Sequence, residues 1–279
     1  MQGNEIGARA RGRRVLAALG VTMMAWSAVP TGAKAAEPSA PSPRVDFAVL
    51  DTLPAPVARY FRRVLTDHQP MFREARFRQA GTVRTSTATE NWMDFTATET
   101  MSQPAPGFTW DARVSMMPLV YVRVLDAYQD GIGQGQVRLW SLIPMGSDKG
   151  TPQMNAGALH RYLAEAVWFP VALLPRDGLR WSPIDDRRAL ATLSDRGVTV
   201  SLEFRFNDRD EVETVYTDAR WGGFDGGYKQ VPWEGHFRDY FVQDGMRLPR
   251  YGEVGWYDAG DWRAVWKGNV VEAAFAVTP

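Results

Sequence analysis

Nine residues, VTVSLEFRF (Val198 to Phe206), constrain the fold most. Val198, Val200, Leu202, Phe204 and Phe206 alternate without a break with Thr199, Ser201, Glu203 and Arg205. Successive side chains of a β-strand point to opposite faces, so this stretch carries one apolar face and one polar face. The turn-forming run NDRDE (Asn207 to Glu211) follows and leads into VETVYTDARW (Val212 to Trp221), which reads as the second arm of a hairpin. Similar segments fall at 74–86, 90–101, 107–115, 119–128, 134–142, 187–194, 231–242, 246–257 and 261–277. Short turns join most of them, which predicts roughly 10–11 strands in an antiparallel meander. No repeat of fixed period is present, which argues against a propeller or a solenoid.

A sheet with one apolar face must cover it. Only two segments have helical period. Residues 53–66, LPAPVARYFRRVLT, space Val57, Tyr60, Phe61, Val64 and Leu65 along one stripe and place Pro54 and Pro56 at the start, where a missing N–H does no harm. The second segment, at about 156–169, lies in HRYLAEAVWFPVALLP (His160 to Pro175). At ~100° per residue, Leu159, Leu163, Ala166, Val167 and Pro170 share one face, and Arg161, Glu165 and Trp168 share the opposite one. On an exposed helix Arg161 and Glu165 would be an ordinary i,i+4 pair, contributing ~0.3–0.5 kcal/mol. Trp168 beside that pair sits less comfortably there and gives a second reading, a helix sandwiched between two surfaces such as a curved sheet and a second layer or ligand cavity, so the exposed pair and the shielded, cavity-lining pair both stand as expectations. Pro170 is expected to end or bend the helix.

The first 35 residues read as a secretory signal: RARGRR (Arg9 to Arg14), the apolar run Val15 to Val29, and Ala33-Lys34-Ala35 as the cleavage pattern. Arg13-Arg14 also resembles a twin-arginine export signal. The apolar run is shorter than the ~20 residues of a membrane-spanning helix, so no stable span is expected after cleavage. Removing residues 1–35 takes five bases and one acid from the 32 of each in the whole chain, leaving 27 against 31 and a net charge of −4. A mildly acidic exported chain is a poor partner for nucleic acid, whose binding needs clustered Lys and Arg. Residues 36–49 begin with the Pro- and Ser-rich AEPSAPSPR and read as a flexible linker, with one β domain over 50–279. Cysteine is absent, so neither disulfides nor thiol chemistry is available; a composition that is 45% hydrophobic and 12% aromatic provides a core instead. The expected location is periplasmic or secreted.

The blocks LPAPVARYF, NWMDFTATE, PGFTWDARV, LDAYQDGIGQGQ, HRYLAEAVWFPVALLP, LRWSPIDDRRALAT, VPWEGHFRDY and GMRLPRYGEVGW occur in that order. They resemble a family of uncharacterised bacterial proteins known only as a domain of unknown function, over about residues 50–275. That resemblance implies no activity and transfers no catalytic residue. The element order, a long antiparallel sheet with an early and a mid-chain helix, is also similar to that of LolA/LolB-like half-barrels, whose concave face binds lipid acyl chains. It is a likeness of layout and implies a mainly β fold, a single, strongly curved, half-barrel-like antiparallel sheet with the mid-chain helix across its concave, ligand-binding side.

Motifs for catalysis are missing. The sequence contains neither GxSxG nor HExxH, and His68, His160 and His236 lie far apart, so no metal site is expected. Gly131, Gly133 and Gly135 in DGIGQGQ precede a strand rather than a helix, which suits close backbone approach better than a dinucleotide site. NDRDE lacks the Gly and the final Glu of a calcium loop. Asp126, Glu165 and Glu253 are carboxylates in apolar surroundings, with Arg113, Arg123 and Arg220 as plausible cross-strand partners. Ten Trp follow residue 35, and Trp262 and Trp266 are expected on one strand face. Such rings suit an amphipathic cavity.

The expected function is non-enzymatic binding of a hydrophobic or amphipathic, lipid-like molecule in the cell envelope, without cofactor or metal. The expected ligand-binding residues are Arg161, Tyr162, Glu165, Trp168, Asp126, Tyr128, Trp110 and Trp233. The alternative is a carbohydrate-active hydrolase using paired carboxylates among Trp platforms.

Overall fold

A computed structural model describes residues 43–224 and 226–277. The signal segment expected over 1–35 and the linker up to residue 42 lie outside the described residues.

Six strands run outward in chain order: β1 (Glu74–Val83), β2 (Met93–Ser102), β3 (Gly107–Met117), β4 (Val120–Gln129), β5 (Ile132–Leu139) and β6 (Ile143–Lys149). Helix α2 (Pro152–Glu165), preceded in the chain by α1 (Ala55–Val64), then crosses back over the sheet. Seven strands return: β7 (Leu179–Pro183), β8 (Arg188–Asp195), β9 (Val198–Phe206), β10 (Val212–Phe224), β11 (Gly227–Gln243), β12 (Met246–Asp258) and β13 (Asp261–Ala276). The last pairs antiparallel with β1, giving a single 13-stranded sheet in the order β6-β5-β4-β3-β2-β1-β13-β12-β11-β10-β9-β8-β7. Helix α2 packs against β4 and β5 and also against β9 and β10, strands far apart in that order. The sheet must curl around the helix to meet it on both sides, which makes the fold a half-barrel.

The alternation in VTVSLEFRF is realised: Val200, Leu202, Phe204 and Phe206 are buried, and the ring of Phe204 stands edge-on to Trp181 at 4.9 Å. Two strands exceed the sequence expectation. β6, IPMGSDK, is an edge strand exposed along almost its whole length, so it has no reason to alternate. β7, LRWSP, has five residues and ends on a proline.

Packed structure begins ahead of the expected Leu50. Val45 is buried, its N–H donates to the Gln69 carbonyl at 3.0 Å, and residues 47–52 form a 3₁₀ turn whose first two N–H groups donate to carboxylates, Phe47 to Asp67 and Ala48 to Asp46. Helix α1 buries Val57, Tyr60, Phe61 and Val64, the expected stripe. Helix α2 starts and ends four residues earlier than the expected 156–169. The Thr151 hydroxyl accepts from the Met154 N–H at 3.2 Å with Pro152 in the first turn, a capping signal that marks its start. Beyond Glu165 the chain tightens into 3₁₀ turns over 166–168 and 170–173, consistent with the break expected at Pro170.

Two glycines set how closely α2 approaches the sheet. A Cβ on Gly133 of β5 would lie 2.6 Å from the Met154 carbonyl oxygen, and one on Gly157 of α2 would lie 2.9 Å from the Trp221 carbonyl oxygen. The glycines of DGIGQGQ thus permit close backbone approach, as the sequence suggested.

Candidate functional site

Between α2 and the concave face lies a cavity of about 250 Å³. Five indoles line it: Trp110 from β3, Trp168 from the turn after α2, Trp233 from β11, Trp256 from β12 and Trp266 from β13. Phe237, Val83, Val254, Val265 and Ala164 complete its apolar lining, and Asp126, Arg161, Glu165 and Arg220 supply the only charged groups. A wider space of about 510 Å³ shares Asp126, Arg161, Arg220 and Trp256 with it. Asp126, Arg161 and Arg220 therefore stand where an apolar compartment meets a more open one, while Glu165 lines the apolar one.

The indoles are held in place. Trp168 is buried, donates its Nε1–H to the Pro249 carbonyl at 3.0 Å, and meets Phe237 and Trp266 edge-on at 5.5 and 6.0 Å. A Cβ on Gly252 would come 2.7 Å from its Cζ2, and one on Gly268 would come 2.5 Å from the Trp266 ring. Each of these large rings is seated over a residue without a side chain.

Arg161 organises the charges. Its Nε donates to Glu165 Oε1 at 2.8 Å and its NH1 to Asp126 Oδ2 at 2.6 Å, while its guanidinium carbon lies 5.0 Å from the ring centres of both Phe108 and Trp110. The side chains of Arg161 and Glu165 are only 17% and 16% exposed, so the exposed-pair expectation does not hold. Burial works against the Arg161 charge, but the carboxylates of Glu165 and Asp126 outweigh it and raise its pKa. Behind Glu165 sits Glu99 of β2, fully buried. It accepts from Gln79 Nε2 at 2.7 Å, and Gln79 in turn accepts from the Trp110 Nε1–H at 2.8 Å. Burial, and then the charge of Glu165, push the Glu99 carboxyl well above the ordinary range, which favours its protonated form.

Of the eight residues expected to bind ligand, six meet at this cavity: Trp110, Asp126, Arg161, Glu165, Trp168 and Trp233. Tyr162 and Tyr128 do not. Their hydroxyls donate to the Ser102 carbonyl at 2.8 Å and to Asp195 at 2.7 Å, which turns both rings into core. Glu253 lies on the other face of the sheet, 3.0 Å from the Tyr251 hydroxyl and 3.7 Å from His236. The Trp262 ring stacks on His236 at 4.5 Å on that same outer face, whereas Trp266 lines the cavity. A bulge at Val265 lets both Val265 and Trp266 line the cavity and separates the two Trp that simple alternation would pair. Of the arginines proposed as carboxylate partners, Arg123 pairs with Asp111 and Arg113 lies over the Tyr121 ring. Among the described residues no group of three His, Asp or Glu side chains is placed to hold a metal ion.

Glu99, Gln79, Arg220, Trp256 and Trp266 were missing from the expected set. Glu99 was detectable, because in MDFTATETM it is in phase with Phe95, Ala97 and Met101.

A model of a family of unknown function, DUF6544, matches residues 43–268. No curated protein matches the chain. Among solved structures it is similar to a Vibrio parahaemolyticus domain named for outer membrane lipoprotein sorting, at TM-score 0.44 and 8% identity over 80% of this chain and 92% of that one. It is also similar to a LolA superfamily protein from Nitrosomonas europaea, at TM-score 0.39 and 8% identity over 80% and 93%.

Proposed function

Since the chain belongs to the family of unknown function DUF6544, which carries no assigned activity, we propose from its geometry that it is an exported, non-enzymatic protein binding a hydrophobic or amphipathic, lipid-like molecule in the cell envelope. The observation that carries this reading is the cavity of five indoles with only a few charged groups, Asp126, Arg161, Glu165 and Arg220, in its lining. The wider space of about 510 Å³ lies within the ~300–1,000 Å³ of small-molecule sites, in which apolar walls supply affinity and a few polar groups fix orientation, and the indole cavity of about 250 Å³ lies just below that range. Export is supported by the signal pattern over 1–35.

The hydrolase alternative has less support. A carboxyl able to donate a proton near neutral pH needs a raised pKa and access to substrate. The carboxyl with the raised pKa, Glu99, is sealed away from the cavity, and Asp126 and Glu165 are both committed to Arg161.

Purified mature protein titrated with a brominated long-chain alcohol tests the binding reading, because bromine quenches indoles it touches. Saturable quenching, reduced in Trp168→Phe and Trp233→Phe variants, is the expected result. Absence of saturable quenching, together with no amphiphile in solvent extracts of the purified protein, would overturn it.

A further inference from the structure

Two arginines stand where the apolar and open compartments meet, and they are unequally partnered. Arg161 has two carboxylates within 3 Å, Glu165 and Asp126. Arg220, on β10, has no carboxylate within 4 Å among the described residues, and its Nε is buried without a hydrogen-bond partner. Its one hydrogen bond runs from NH2 to the Gly157 carbonyl at 3.1 Å. The guanidinium is held over two cavity indoles, 4.9 Å from the centre of Trp233 and 5.1 Å from that of Trp256. It lines both compartments.

Asp126 and Glu165 are close enough to be felt by Arg220, yet both point their hydrogen-bonding oxygens at Arg161. Glu99 holds its proton and adds no counter-charge. His160, the other titratable group facing Arg220 from α2, is kept neutral by burial and then by the Arg220 charge. Burial, followed by repulsion from Arg161, lowers the Arg220 pKa to about 10, which leaves it charged at neutral pH. A half-buried guanidinium whose Nε is shut away from water with no partner is unfavourable without an anion at contact, and an oxyanion offers the bidentate geometry that its fork accepts.

Resting on the binding reading above, we propose that the ligand is an amphiphile with a single oxyanion head, a carboxylate or a phosphate monoester. The head pairs with Arg220 where the compartments meet, and the alkyl tail extends among Trp110, Trp168, Trp233 and Trp266. The sequence of charges along the wall then alternates: Glu165 and Asp126 on Arg161, the ligand head on Arg220.

The test measures dissociation constants of dodecanoate, dodecyl phosphate and dodecan-1-ol for full-length mature protein, by Trp fluorescence at pH 7.5 and below their aggregation thresholds. At least one of the two anions is expected to bind about tenfold or more tighter than the alcohol, the scale of a desolvated charge pair. Comparison of the two anions identifies the head group. Acetate and inorganic phosphate, which lack a tail, are expected not to compete. In Arg220→Met the anion-to-alcohol ratio falls to about 1, and in Arg220→Lys, which keeps the charge and loses the fork, it lies between. If the wild-type protein binds acid and alcohol equally, or if the preference survives in Arg220→Met, the inference about the head group is overturned while the cavity reading stands. If no amphiphile binds, the cavity reading fails first. The wild-type comparison decides the matter even if Arg220→Met does not fold.

Discussion

The Arg161 cluster makes a prediction about sign as well as size. Arg161 and Glu165 are 2.8 Å apart with side chains 17% and 16% exposed; Arg78 and Glu272, paired across β1 and β13, are 2.6 Å apart but 64% and 62% exposed. Contact geometry is therefore comparable and solvent access is not. Two unit charges ~4 Å apart interact by ~1 kcal/mol in water and ~4 kcal/mol at an effective dielectric constant of ~20. A wall that is mostly but not wholly dry places the Arg161–Glu165 coupling at ~2–3 kcal/mol, against ~0.2–1 kcal/mol for the exposed pair. Arg161→Met alone leaves Glu165 and Asp126 without a cation and should cost ~3–5 kcal/mol. Glu165→Gln alone leaves Arg161 its bond to Asp126 and should cost less. Once Arg161 is gone, Glu165 is an uncompensated carboxylate beside Glu99, so Glu165→Gln should stabilise the Arg161→Met protein. Urea denaturation of the four proteins in each cycle measures both couplings. Equal couplings for the two pairs, or a Glu165→Gln change that destabilises equally in both backgrounds, would refute the reasoning.

Three further outcomes follow from the same wall. Glu99 holds its proton to higher pH in the folded chain than the 4.5 of an ordinary Glu, so native stability falls as pH rises above that value; Glu99→Gln should flatten this slope, and an unchanged slope between pH 5 and 8 by chemical denaturation would count against it. Burial, with Arg220 second, lowers His160 to about 4 from 6.5, so about 3 kcal/mol of stability present above pH 6.5 is lost as pH falls to 4; His160→Gln should be less acid-sensitive than the wild type, and equal acid sensitivity would contradict the assignment. Gly252→Ala would place its Cβ 2.7 Å from Trp168 Cζ2, so a loss of ~1–3 kcal/mol and weaker amphiphile binding are expected, and a variant neutral on both measures would show that Trp168 is free to move.

What the sequence disclosed depended on whether a residue's environment is written in its neighbours. Strands with one dry face announce themselves, as Val198 to Phe206 does, because burial imposes period two. β6 is wet on both faces and left no such trace. The pairing of β13 with β1 joins residues almost two hundred apart, and no local pattern encodes it. At the site, Arg161, Glu165 and Trp168 were legible as an odd combination on one helical stripe, and their common environment followed. Tyr128 and Tyr162 misled because a hydroxyl in an apolar strand or helix looks the same whether it faces a cavity or finds a partner in the core. Arg220 was hidden by a bulge between Thr217 and Arg220, which breaks the phase that would have assigned its face.

A cavity lined by apolar rings should collapse unless something holds it open, since unfilled space forfeits dispersion contacts at every wall. Here the restraint is visible in two kinds of contact. Trp110 and Trp168 are fixed by their N–H groups, to Gln79 and to the Pro249 carbonyl, and Trp168 and Trp266 are seated on Gly252 and Gly268, so these rings cannot slide inward without breaking a bond or leaving their seat. Helix α2, which could otherwise settle onto the sheet, is tied through Arg161 to Asp126 of β4, with Glu165 held on the same guanidinium. Replacing that network by hydrocarbon of equal volume would often stabilise a protein interior. Its retention here makes physical sense if the distance between helix and sheet is the property being maintained. The buried ions then serve the space beside them more than the fold.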